Sequence, residues 1–401
     1  MKNRLCSFVV LGAGLAAAVF TSPASAAVTV GTQQPVQIGG FFSQGYIESY
    51  GNNYPFEAKG GTWDFREMGL NLSTTIGSHL RLGAQGFAQS LGNYGEDQVK
   101  LDWAQADYNF RQEFGIRLGR IKYPKGLYNE ALDLDSVRPF VFLPMALYNP
   151  VVRDFNSAFN GGMVYGSLEL GKAGSLDYKV FYGDVPMSPK QGVADFFNTI
   201  NIYTPAGVSS VGMDYSAGGQ LFWSTPVTGL KLGYGYSFFK SLTAVGKFAF
   251  FPTGDVTLNL PKYIYHTFSA EYARDSWTFA GEYQKVGGDT AIINPFGASF
   301  GESKVANWYV SAARRLNDKF EVGTYFSSQE NKNPAAGSPG AANHNRDWAF
   351  SVRYDLNEHV LVKAEYHLID GRYNVFNTTR TPNRTVDDDS SFFAVKTTFS
   401  F

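Results

Sequence analysis

The chain has 401 residues, with 34 Lys and Arg against 35 Asp and Glu, 16% aromatic residues, 43 glycines and one cysteine. This balance excludes a basic nucleic-acid-binding surface, and a single cysteine excludes a disulfide scaffold. Mean hydropathy is slightly negative, and after the first residues no apolar run is long enough for a spanning helix.

The N-terminus reads as an export signal. Lys2 and Arg4 give a positive start, Phe8 to Phe20 form an apolar stretch, and Ala24-Ser25-Ala26 supplies the small-x-small pattern of a cleavage site. A short membrane anchor is the alternative, but the apolar run is brief and Pro23 follows it. Cleavage after Ala26 divides the chain into a signal peptide, 1–26, and one domain, 27–401. Cys6 lies in the signal without the small-residue box of a lipoprotein, so the mature domain has no thiol. Its net charge is about −3.

Beyond the signal the dominant pattern is alternation with period two. It predicts strands over 36–49, 63–77, 79–90, 99–110, 113–123, 162–171, 174–184 and 217–226 in the first half. In the second half it predicts strands over 229–240, 261–273, 276–286, 304–315, 318–330, 346–355, 359–370 and 390–401. Met68, Leu70, Leu72, Thr74 and Ile76 alternate with Gly69, Asn71, Ser73 and Thr75. Leu230, Leu232, Tyr234, Tyr236 and Phe238 alternate with Lys231, Gly233, Gly235 and Ser237. One face is apolar and aromatic, the other small, polar or charged, over lengths near the ~9–11 residues that cross a bilayer at a tilt.

The connections alternate too. Every second one is tight and rich in turn residues: Gly77-Ser78, Gly171-Lys172-Ala173-Gly174, Arg274-Asp275-Ser276, Leu316-Asn317-Asp318. The others, such as 185–216, 241–260, 331–345 and 371–389, are long and polar. Convincing capped helices are absent from the pattern. The fold class expected is therefore all-β: a single transmembrane antiparallel barrel of about 16 strands, two either way, with short periplasmic turns and long extracellular loops. In the last strand Phe393, Val395, Thr397, Phe399 and Phe401 alternate to the end. This terminus resembles the signal read by the barrel-assembly machinery; an ordinary edge strand is the alternative.

The longest connection, Pro124 to Gly161, opens with Gly119-Arg120-Ile121-Lys122-Tyr123-Pro124-Lys125-Gly126-Leu127. This run resembles the strand-to-loop motif of the phosphate-selective porins, and the generic resemblance to bacterial outer-membrane porins extends along the chain. The resemblance implies a passive channel for small hydrophilic solutes, a third loop folded into the pore, a homotrimer, and contact with outer-membrane lipid and lipopolysaccharide. It implies no cofactor and no catalysis. An apolar patch, Phe140 to Leu147, is expected to hold the loop against the inner wall; a loop over the mouth or at a subunit contact is the alternative.

Period-two counting puts Arg81, Arg117, Lys179, Lys231, Arg353, Lys363 and Lys396 inside, with Glu67, Asp107, Glu169, Asp177, Glu271, Glu282, Glu321 and Glu365. Arg120 and Lys122 break this parity, so a bulge or a place above the apolar belt is expected for them. Together with the loop charges, the expected constriction is Arg81, Arg117, Arg120, Lys122, Glu130, Asp133, Asp135, Arg138, Arg153 and Asp154. Balanced signs favour a general channel, and no dense run of arginines supports phosphate selectivity. An anion-selective channel remains the second reading; a plugged adhesin and an outer-membrane hydrolase are further classes. His79, His266, His344, His359 and His367 have no metal-ligand spacing, and Asp387-Asp388-Asp389 reads as a solvated acidic loop rather than a cation site.

Overall fold

Alternation of this kind makes two-faced strands, and an edge left unpaired in hydrocarbon is costly, so the stable solution is a closed cylinder. The computed structural model describes residues 28–31, 35–198, 203–249, 251–375 and 386–401; the expected signal peptide lies outside them. The first strands are β1 (Val28–Val30), β2 (Val36–Tyr50), β3 (Phe65–Ile76), β4 (Leu80–Leu91), β5 (Lys100–Arg111) and β6 (Phe114–Lys122). They are followed by β7 (Ala158–Glu169), β8 (Ser175–Asp184), β9 (Tyr203–Gly212), β10 (Tyr215–Ser224), β11 (Leu230–Phe248) and β12 (Phe251–Arg274). The last six are β13 (Trp277–Asn294), β14 (Gly297–Arg315), β15 (Phe320–Asn331), β16 (His344–Asp355), β17 (Val360–Asp370) and β18 (Asp389–Ser400).

Neighbours pair antiparallel in sequence order, and β18 pairs with β2 to close the wall. At the seam Phe401 N donates to Gly40 O and Gly40 N donates to Phe401 O, both at 3.0 Å. β10 pairs directly with β8, while β9 adds to the far part of β11 and β1 only to the start of β2. The wall therefore has sixteen strands, as the alternation predicts.

Several connections differ from expectation. Residues 241–260 are not a loop: β11 continues to Phe248 and β12 begins at Phe251, with Leu242↔Leu260 and Val245↔Thr257 in register. Gly246, Pro252 and Gly254 read as breakers in sequence, but β9 on one side and β12 on the other satisfy the backbone of β11 and extend the ladder. Residues 287–303 are not a loop either: β13 continues to Asn294 and β14 begins at Gly297, with Asp289↔Glu302 and Ile292↔Ser299 in register. The connection after β6 carries two short helices, α1 (Met145–Tyr148) and α2 (Arg153–Asn156), and the 185–216 connection carries α3 (Gly192–Asn198) as well as β9.

The two faces follow parity. Along β16, Asn345, Asp347, Ala349, Ser351 and Arg353 are buried, while Trp348, Phe350 and Val352 are exposed. The same outward belt continues through Leu368, Phe393, Leu70, Leu72, Leu118, Val180, Phe268, Tyr283 and Val310. Among the described residues no helix is long and apolar enough to cross a membrane, which says nothing about strands.

Candidate functional site

The site is the lumen and the segment between β6 and β7 that lies in it. The motif at its root contains two residues that must be glycine. Gly119 has φ +126°, and a Cβ there would stand 2.3 Å from the Ala104 carbonyl oxygen. Gly126 has φ +57°, and a Cβ would meet the Tyr148 hydroxyl at 2.3 Å and Glu282 Oε1 at 2.5 Å. Its carbonyl accepts from Gln220 Nε2 at 2.9 Å. The first lets β6 press against β5; the second lets the loop turn into the barrel.

The loop is tied to inward-facing side chains on all sides. Lys363 Nζ donates to the carbonyls of Asp135 (2.7 Å) and Phe140 (3.0 Å). Glu365 accepts from the backbone N–H groups of Val141 (2.8 Å) and Phe142 (3.0 Å). Arg353 donates to Ser136 O at 2.7 Å, and Ser351 Oγ to Pro139 O at 2.9 Å. Across the barrel, Glu282 accepts from Leu127 N at 3.0 Å and from the hydroxyls of Tyr148 and Tyr309.

Three groups of charges fix the loop further. In the first, Lys122 Nζ lies 2.6 Å from Asp102 and 2.5 Å from Asp133. Arg153 closes the ring, 2.7 Å from Asp102 and 2.5 Å from Asp133, with its guanidinium 4.1 Å above the Phe87 ring. Gln85 donates to both carboxylates. In the second, Asp135 meets Arg138 (2.7 Å), Lys396 (2.8 Å), Lys363 (3.6 Å) and the Thr398 hydroxyl (2.7 Å). In the third, Glu130 pairs with Lys179 and lies 3.8 Å from Arg117, which is 2.9 Å from Asp107.

Burial alone would raise the loop carboxyls, but the facing cations outweigh it. Arg153 and Lys122 hold Asp133 well below the usual carboxylate range, and Lys396, Lys363 and Arg138 do the same to Asp135. At Asp154 burial outweighs the opposing pull of Lys100 and of nearby backbone N–H groups and pushes the carboxyl up to about 7. Burial likewise pushes the Lys125 ammonium down to about 8.

The apolar patch seats between these ties. Phe140 packs on Tyr325 with ring centres 5.1 Å apart. Phe142 stacks on Phe65 at 5.2 Å and meets Phe392 edge-on at 5.6 Å. Leu143 and Leu147 are buried with Ala280 and Tyr309. Each such side chain contributes roughly 1.5–3 kcal/mol on removal from water.

Of the ten expected constriction residues, Lys122, Asp133 and Arg153 form the first group, Asp135 and Arg138 belong to the second, and Glu130 and Arg117 to the third. Arg81 stands opposite Asp107 in register, and Asp107 opposite Arg117, so the three form a row across β4, β5 and β6. Arg120 donates only to neutral oxygens, Asp102 O at 2.9 Å and Asn160 Oδ1 at 3.4 Å. Asp154 sits apart from the three groups, in the short helix α2 (Arg153–Asn156).

The parity break at Arg120 and Lys122 has its counterpart on the neighbouring strand. The β4–β5 register jumps from Gln85↔Trp103 to Gly86↔Leu101, leaving Asp102 as the extra residue of a bulge. β5 and β6 stop pairing at Ala104↔Arg120, and Lys122 reaches Asp102 beyond that point. Period counting misses Asp102 for this reason. The sequence also gave no sign that His367 is clamped between Asp347 (2.9 Å) and Glu365 (2.7 Å) and stacked on Phe392 at 3.9 Å. Glu169, expected inside, is exposed near the turn end and accepts from Gln112. Among the described residues no group of three His, Cys, Asp or Glu could hold a metal.

A closed antiparallel barrel of sixteen strands with its longest loop seated in the lumen defines a porin architecture. No family model and no curated protein matches the sequence, but solved structures match the fold. The anion-selective porin of Comamonas acidovorans aligns with TM-score 0.56 and 13% identity, over 92% of this chain and 100% of that one. Salmonella typhi OmpF in complex with daunomycin gives TM-score 0.59 and 12% identity, over 93% and 100%. The trimer form of Vibrio cholerae OmpT gives 0.53 and 14%, over 92% and 100%. The fold of this chain is thus that of the outer-membrane porins.

Proposed function

We propose that this protein is a general-diffusion porin of a bacterial outer membrane, a passive water-filled channel for small hydrophilic solutes and ions. The observation that carries the reading is the separation of faces. An apolar, aromatic belt covers the outside of a closed barrel, while the inside holds charged residues of both signs. An interior of that kind suits water, and an exterior of that kind suits hydrocarbon.

In this reading the tight turns face the periplasm and the long loops the exterior, and the ten charged residues line the constriction. Groups of both signs on facing walls set up a transverse field that orients polar solutes without strongly rejecting either ion. The chain assembles as a homotrimer, a reading supported by the trimer form among the similar structures. Phe401, placed at the seam, is offered to the barrel-assembly machinery. No step of this function calls for a catalytic residue or cofactor.

The test is single-channel recording of the refolded mature chain in a planar bilayer under a salt gradient. Large steps with weak ion selectivity are expected. A correctly folded barrel that gives no steps would overturn the reading in favour of a plugged adhesin or an enzyme. A second reading, an anion-preferring channel, is favoured by one observation: among the described residues neither Lys100 nor Arg120, both at the loop end of the lumen, forms an ion pair. A reversal potential shifted strongly toward anions would select it.

A further inference from the structure

Beside the constriction lies a cavity of about 290 Å³, partly open and bordered by the β4–β5 connection, the third loop and the segment before α3. One part of its lining is apolar: Phe87, Val151 and Met187. Another part is cationic: Lys100 and Arg120. The charges of Asp102 and Arg153, which also reach this cavity, are consumed within the four-membered ring they form with Lys122 and Asp133. That ring is neutral as a whole, so it offers a solute no net charge.

Lys100 and Arg120 are different. Arg120 spends its hydrogen bonds on a carbonyl and an amide oxygen, and the carboxylates of Asp102 and Asp184 act on it only at longer range. Lys100 Nζ donates to the side-chain oxygen of Gln191 when that amide is turned to donate to Asp154 Oδ2 at 2.9 Å, and it forms no direct ion pair with Asp154. Asp154 is the one acid left in the lining, and its single charge cannot offset two cations. The net field of the cavity is therefore positive, beside an apolar wall.

We propose that this cavity is a binding subsite for small organic monoanions that carry an apolar body, with the carboxylate held by Arg120 and Lys100 and the body against Phe87, Val151 and Met187. The size is adequate: a ~150 Å³ apolar cavity accommodates benzene, so 290 Å³ admits an aromatic carboxylate with some water. An inorganic anion leaves the apolar wall unused, and a neutral aromatic leaves the two cations unused. Both halves are needed for affinity. The proposal rests on the channel reading, since the solute reaches the cavity through the lumen.

The test is calorimetric titration of the refolded mature chain in detergent with benzoate, benzamide and acetate. Benzoate binds; benzamide binds at least about tenfold more weakly, the loss expected for removing a charge-assisted hydrogen bond, and acetate at least about tenfold more weakly because it leaves the apolar wall uncovered. Arg120→Gln and Lys100→Gln each weaken benzoate about tenfold, whereas Lys304→Gln, far along β14 and paired with Glu302, leaves it unchanged. Lys100 lies exposed at the start of β5, so its replacement keeps the barrel folded. Equal binding of benzoate and benzamide, or benzoate binding indifferent to both substitutions, overturns the proposal. Binding without bilayer conductance sinks the channel reading and spares the subsite; conductance without benzoate binding sinks the subsite alone.

Discussion

Lys122 and Asp133 meet at 2.5 Å, joining the end of a wall strand to a carboxylate eleven residues further along the loop. Both are buried, and each has a second partner of opposite charge in Asp102 or Arg153. Assembling such a buried ring from solvated charges yields little net stability, but removing one member leaves an uncompensated charge and costs about 3–5 kcal/mol. Asp133→Asn is therefore expected to lower the thermal unfolding midpoint and to free the loop. Single-channel recordings of this variant should show larger or noisier steps than the parent.

Gly126 supports a sharper comparison. Alanine there meets the Tyr148 hydroxyl and Glu282 as well as a left-handed backbone, whereas Gly60, at φ +85°, has nothing within 4 Å of the same position. Backbone strain alone costs roughly 1–2 kcal/mol. Gly60→Ala should show a loss of that order in denaturant titration, and Gly126→Ala a clearly larger one with increased protease cleavage between residues 126 and 157.

Residues 27–401 contain no cysteine, so a pair designed into a barrel refolded from that segment is unambiguous. Pro139 and Ser351 are joined by a 2.9 Å hydrogen bond from hydroxyl to carbonyl. Pro139→Cys with Ser351→Cys should cross-link on mild oxidation of the folded barrel, read as a mobility shift on a non-reducing gel. Failure of this pair and of neighbouring pairs would place the loop outside the lumen.

Asp154 makes a pH prediction of definite sign. Its folded carboxyl titrates near 7 against an ordinary value of 3.8, so the fold binds this proton more tightly than the unfolded chain does. The contribution to stability is full below about pH 4 and declines as pH rises through about 7. Asp154→Asn should remove this decline, so that the variant unfolds at a higher temperature than the parent at pH 8 and differs little at pH 4.

Much of this was legible because a strand's side chains alternate without drift. Lys363, Glu365 and Lys396 are buried on the inner face where counting places them, and their outward neighbours Val362, Tyr366 and Phe399 lie on the other face. The pattern breaks where one residue is added. At Asp102 a bulge shifts the parity, and the partner of Lys122 disappears from any count by twos. The extended β11–β12 ladder was hidden for a different reason, since glycine and proline there mark weak local propensity while the neighbouring strands supply the pairing. The loop's own contacts were the least legible. Val141 and Glu365 are separated by 224 residues, and no local pattern links them.

The seam between β2 and β18 brings the two ends of the domain together, with Gly40 and Phe401 exchanging hydrogen bonds. The sheet is then a ring whose closing link joins positions 40 and 401. Until that link forms, both margins are open and able to template on another chain, and the contact that removes them joins positions far apart in sequence, which makes it slow to find unaided. A chain without β18 would not be a slightly smaller barrel but an unclosed sheet, so the pairing of β18 with β2 acts as the checkpoint for the whole structure.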